Sequence, residues 1–248
     1  MDARPCRFRP HPHFPMSTSL LRDAHAPSTR REFFKRAGFG LGAVAVAGSL
    51  QACDSDGEGG GDAVTLDFSN DFGVLNYAYA LEQLEYAFYE AVLAGGYFRG
   101  LGTSSEERQI LQDLRDHELA HVDFFNAALG NNAIGELSVD FGSIDFTSRA
   151  SVLGAARAFE DTGVSAYNGA GQYLESTDFL TVAGKIVSVE ARHAAAIRDL
   201  LQPGTAAFAG DDVVDPATGL DVVRTPAQVL QVIDQYVVTP VSVINVPS

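Results

Sequence analysis

Between Leu111 and Ala128 the chain reads LQDLRDHELAHVDFFNAA, and Leu111, Leu114, Phe125 and Ala128 recur with the spacing of one buried helical stripe. Glu118 and His121 stand in the middle of that stripe. An ionised carboxylate on the core face of a helix is costly unless something pairs with it. Residues three apart share a helical face, so a carboxylate and an imidazole at this spacing can grip one cation. The same pattern returns at Glu190 and His193, flanked by Ile186, Ile197 and Leu200. A chain with such stripes has to fold so that acidic side chains meet in its interior together with positive charge.

The remaining apolar periodicity supplies two more helices of the same kind. One is expected from about Asn70 to Ala94, stopped by Gly95-Gly96; it is apolar nearly all round, yet contains Glu82 and Glu85. The helix bearing Glu118 is expected to open at Ser104, with Glu107 three residues on as in a capping box, and to close before Gly130. Residues 131 to 147 hold Gly, Asn and Asp and are too many for a tight hairpin, so they read as a crossover. A third helix, 149 to about 174, carries Leu153, Ala156, Glu160, Tyr167 and Leu174 on one stripe, with Gly163, Gly169 and Gly171 allowing close approach or a bend. A fourth runs from about Ser176 to Leu201, where Pro203-Gly204 halts it. Pro226 to Tyr236 reads as a short helix, and Val237 to Val246, β-branched and interrupted by Pro, as an extended tail.

Each of the four long helices thus places a Glu where its stripe should be uninterrupted. Four converging carboxylates repel one another, and each is driven toward its neutral form. Two divalent cations would neutralise them, with two imidazoles completing a mixed nitrogen and oxygen ligand set of the kind iron or manganese accepts. The order of motifs repeats as well. Glu82 precedes Tyr89 by seven residues and Glu118-x-x-His121 follows; Glu160 precedes Tyr167 by seven and Glu190-x-x-His193 follows.

One Glu from each of two helices and Glu-x-x-His from each of the other two, with a single long crossover, is the arrangement of ferritin-like dimetal proteins. Residues 71 to 202 resemble the ferritin-like superfamily, and the segments LEQLEYAFYEAVL, HELAHVDFFNAALG, AFEDTGVSAYNGA and VEARHAAAIRDLL are similar to its exported, desiccation-related branch. The resemblance implies an all-α fold: an up-down four-helix bundle with one long crossover between its second and third helices, plus a C-terminal extension. It implies that Glu118 and Glu190 bridge two metal ions, that Glu82 and Glu160 are terminal ligands, and that His121 and His193 bind one ion each. It selects Glu82, seven residues before a Tyr, over Glu85, which stays a rival or an outer group. Tyr89 and Tyr167 would orient carboxylates across the bundle. Asp116 and Arg192 could be outer groups of the centre but, taken alone, read as solvated or surface-paired charges; His117 is expected to point off the stripe, partly exposed.

Charge divides the chain unevenly. Of its 17 Lys and Arg and 32 Asp and Glu, eight basic and three acidic residues lie at or before residue 52; the remaining nine face 29, a net of −20. So acidic a body repels polyphosphate, which argues against nucleic acid as a partner. Two Cys, at 6 and 53, offer neither a disulfide framework nor an iron–sulfur site. The basic leader holds Thr29-Arg30-Arg31-Glu32-Phe33-Phe34-Lys35 before a Gly and Ala rich apolar run, which resembles a bacterial twin-arginine export signal centred on Arg30 and Arg31. Leu50-Gln51-Ala52-Cys53 looks like a lipobox that would leave Cys53 lipidated, although Gln51 departs from the residues usual there. The expected organisation is a signal peptide over 1–52, with Met16 an alternative start that leaves 1–15 untranslated, a flexible acidic tether over 53–69, the bundle over 70–202, and an extension over 203–248 packed on it.

These features imply an exported, envelope-located dimetal protein, with the twin-arginine machinery as a partner, a membrane attachment through Cys53, and homo-oligomerisation left open. An oxidoreductase acting on peroxide, dioxygen or Fe(II) under oxidative or drying stress is the function expected. The alternative is a non-catalytic, envelope-anchored stress or binding protein that keeps the same fold.

Overall fold

The structure is a computed structural model and describes residues 63–247. The leader, Arg30, Arg31, Cys53 and most of the expected tether lie outside the described residues. Strand β1 (Val64–Asp67) leads into helix α1 (Asp71–Ala94), followed by a short helix α2 (Gly96–Gly100) and helix α3 (Glu106–Leu129). After the crossover come α4 (Arg149–Ala170), α5 (Thr177–Leu201), α6 (Pro226–Ile233) and strand β2 (Val241–Ile244). The protein is an all-α four-helix bundle. Its densest packing lies within two helical pairs, α1 with α3 and α4 with α5.

Helix boundaries follow local chemistry. Asn70 caps α1 by accepting from the Phe72 amide, and Ser148 and Ser176 do the same for α4 and α5. Helix α3 begins one residue later than the Ser104 spacing predicts. Ser105 is the cap and accepts from the Arg108 amide, so the expected box between Ser104 and Glu107 does not form. Thr225 and Gln228 do form a reciprocal capping box on α6.

Helix α1 is the spine, buried along most of its length. Its polar residues hold the crossover. Asn76 Oδ1 accepts from the Ile134 amide at 2.9 Å, and Gln83 Oε1 accepts from the Leu137 amide at 2.9 Å. Leu137, Val139 and Phe141 of the crossover then close over the core beside Phe88 and Phe159. Gly169 lets the C-terminal segment reach α4, since a Cβ there would lie 1.9 Å from the Arg224 carbonyl oxygen. Helix α6 packs on α4 through buried Val229 and Ile233.

The expected tether is corrected at its end: residues 64–67 form β1, which pairs in parallel with β2 in the extended tail, Val64 opposite Val241. Leu66 and Phe68 are buried, Phe68 packing edge-on against Tyr77 and Tyr173. The alternation Val64, Leu66, Phe68 is the strand signal that the acidic, Gly-rich composition just upstream obscured. Among the described residues no helix is long and apolar enough to cross a membrane.

Candidate metal centre

Glu82, Glu118, Glu160 and Glu190 sit near the midpoints of α1, α3, α4 and α5, and all four are 0% exposed. They meet in two overlapping groups. Glu82, Glu118, His121 and Glu190 form one; Glu118, Glu160, Glu190 and His193 form the other, and in each group the candidate ligand atoms lie within 4.8 Å of one another. Glu118 and Glu190 belong to both. The six residues that the sequence pattern singles out are brought together at one place between two apolar clusters.

Nδ1 is the inward nitrogen of both imidazoles. In His121 it lies 3.0 Å from Glu82 Oε2, 3.3 Å from Glu118 Oε2 and 3.0 Å from Glu190 Oε1. In His193 it lies 2.8 Å from Glu118 Oε1, 3.5 Å from Glu160 Oε2 and 3.6 Å from Glu190 Oε2. Yet Glu118 Oε1, Glu160 Oε2, both Glu190 oxygens and His193 Nδ1 make no directed hydrogen bond. Buried polar atoms are almost always paired. Ligand atoms crowded together with their lone pairs facing inward are what a cation between them would satisfy.

The electrostatics agree. Burial works against charge on His121, but the carboxylates of Glu118, Glu190 and Glu82 outweigh it and the imidazole is pushed up to about 12. His193 is pushed up in the same way, chiefly by Glu160. Burial raises Glu160 to about 7 and Glu118 well above the usual carboxylate range, the nearby Glu190 adding to the latter. Glu190 faces both imidazoles, which overcome its burial and hold it at about 2. Protons on the two rings thus balance part of the negative charge, and cations can replace them.

The two tyrosines reach carboxylates across the bundle, as the resemblance implies. The Tyr89 hydroxyl on α1 donates to Glu160 Oε1 on α4, and the Tyr167 hydroxyl on α4 donates to Glu82 Oε1 on α1. Burial pushes both phenols up, so they stay donors. Tyr167 also walls a small apolar cavity with Leu75, Ala78, Phe125, Phe179 and Val182, so one ring separates that cavity from a carboxylate of the centre.

Of the other singled-out residues, Asp116 pairs with Arg115 at 2.8 Å on the surface, and exposed Arg192 turns back to the Ser188 carbonyl. Glu85 is buried but belongs to neither ligand group. His117 is exposed as expected, and it also touches the centre: its Nδ1 lies 2.9 Å from Nε2 of His193. Its position four residues before His121, on the same face, was the available signal. Arg198 was missed too. It is 4% exposed and holds Asp161 of α4 with its Nε at 2.8 Å and Nη2 at 2.6 Å, and Asp212 with Nη1 at 3.0 Å.

A family model described as a ferritin-like domain matches residues 70–203. No curated protein matches the chain.

Proposed function

From the premise that the chain belongs to the ferritin-like domain family, we propose that it is an exported dimetal-carboxylate oxidoreductase reacting with peroxide, dioxygen or Fe(II). The observation that carries this reading is the sharing of Glu118 and Glu190 between two ligand groups, each completed by its own terminal Glu and His. That donor set, four carboxylates and two imidazoles, suits two iron or manganese ions. Two such ions side by side supply two electrons to a single oxidant.

The residues divide the work. Glu118 and Glu190, common to both groups, would serve both ions, while Glu82 and Glu160 would each serve one. Tyr167 and Tyr89 hold those two terminal carboxylates from across the bundle, so that each presents its other oxygen inward. The four carboxylates are fully buried, which strengthens every electrostatic contact among them. The export signal at Arg30 and Arg31 and the lipid attachment at Cys53 belong to this proposal and rest on the leader sequence, which points to an envelope role in oxidative or drying stress.

The test is metal analysis joined to turnover. Protein loaded with iron or manganese is expected to bind ~2 ions per chain and to consume peroxide or oxidise Fe(II). The Glu118→Ala, His121→Ala variant should lose metal and turnover together. Wild-type protein that takes up neither metal, or a double variant that keeps full turnover, sinks the proposal; wild type with neither metal uptake nor turnover favours the non-catalytic binding protein.

A further inference from the structure

Among the described residues, Glu85 is the one buried acid that the six-ligand scheme leaves without a task. Its side chain is 3% exposed and its Oε2 has no hydrogen-bond partner. An unpaired buried carboxyl is costly, and a hydrophobic residue of similar volume would relieve that cost.

The internal repeat shows what has been arranged around it. Glu82 and Tyr89 of α1 correspond to Glu160 and Tyr167 of α4, which makes Gly163 the counterpart of Glu85. These two counterparts face each other. A Cβ on Gly163 would lie 2.9 Å from Glu85 Oε1, closer than a side chain tolerates, so α4 offers bare backbone where the Glu85 carboxyl rests. One half of the repeat carries the acid and the other half carries the space for it. The carboxyl is near enough to Glu190, Glu160, Glu118 and Glu82 for all four to act on it, and burial together with these neighbours pushes it well above the usual carboxylate range.

Building on the dimetal reading, we propose that Glu85 is a fifth carboxylate ligand of the centre, joining one of the two ions from the α1 side and using the room left by Gly163. The ion so bound differs from its partner, so the two metal positions are inequivalent despite the repeat. With five carboxylates, negative charge exceeds that of two divalent ions, and the centre favours a metal pair carrying additional positive charge.

The experiment compares wild type with Glu85→Gln, which keeps the shape and removes the ligating charge. Metal-free Glu85→Gln is expected to melt at or above the wild-type temperature, which establishes that it folds. In manganese titrations its affinity for one of the two ions should fall ~10–100-fold while the other site is little changed. The electron paramagnetic resonance spectrum of the manganese-loaded protein should differ from wild type, and a crystal structure of loaded wild type should show a Glu85 oxygen bonded to metal. If loaded wild type holds two ions with Glu85 unbound, or if Glu85→Gln matches wild type in both affinity and spectrum, Glu85 is not a ligand and the dimetal reading stands without it. If wild type itself binds no metal, both fall.

Discussion

Nδ1 of His117 lies 2.9 Å from Nε2 of His193, and the two imidazole planes stack within 6° of parallel. One ring is on the surface and the other in the core. A hydrogen on Nε2 of His193, donated to His117, leaves Nδ1 free to face the carboxylates, so the outer ring selects the tautomer of the inner one. His117→Ala should therefore lower metal affinity ~10–100-fold, measured by competition with a chelator. His117→Gln, which keeps an acceptor, should recover part of the loss. Equal affinities in all three proteins would show that the stacked pair does not orient His193.

The tyrosine pair predicts a stability effect. Tyr167→Phe removes the donor to Glu82 Oε1, and Tyr89→Phe removes the donor to Glu160 Oε1, at a buried acceptor in each case. Each change should cost ~1–3 kcal/mol in urea denaturation of the metal-free protein. A smaller cost once metal is bound would indicate that the ion takes over the orientation of that carboxylate.

Proton release should accompany metal uptake. The ordinary value of His121 is 6.5 and in the fold it is pushed up to about 12, so its contribution to metal-free stability is complete below pH 6.5 and lost as pH rises through about 12. Glu190 moves the other way, from 4.5 to about 2; its contribution is present above 4.5 and lost as pH falls through about 2. At neutral pH the rings carry protons that an incoming cation displaces. Calorimetry in buffers of different ionisation enthalpy should report release of ~2 or more protons per chain on loading, and affinity should weaken as pH falls from about 8 to about 6. Uptake with no proton release would contradict the assignment of both histidines.

Arg198 joins α5 to α4 and to the loop bearing Asp212. Arg198→Ala leaves the largely buried Asp161 carboxylate with only its longer, 3.4 Å contact to Arg157 and should destabilise by ~3 kcal/mol. Asp212→Ala removes a half-exposed partner and should cost under ~1 kcal/mol. Thermal melts measure both, and metal content should be unchanged, because neither residue reaches the centre.

Much of this arrangement is legible in the sequence because its signals are periodic. Glu82, Glu118, Glu160 and Glu190 stand out by interrupting apolar stripes, and the seven-residue step to Tyr89 and Tyr167 marks the partners across the bundle. Features that depend on distant partners are less visible. His117 looks like a surface residue when only its own helix is considered, and its contact arrives from α5. Arg198 sits at the edge of a stripe and finds Asp161 and Asp212 on other segments. Choosing between Ser104 and Ser105 as a cap needs backbone angles that adjacent serines do not reveal. Stripes also exaggerate symmetry: they make Glu85 look like an alternative to Glu82, whereas the fold gives it a separate berth opposite Gly163.

The parallel pairing of β1 with β2 sets a schedule for folding. Thr65 and Ser242 sit side by side although 177 residues separate them, whereas each helical pair joins neighbours in the chain. Closing so long a loop is slow beside the zipping of a helical hairpin. During synthesis β1 has no mate until β2 has been made, after all four bundle helices. The strand pair is therefore a late seal on a bundle whose helical pairs can already have formed.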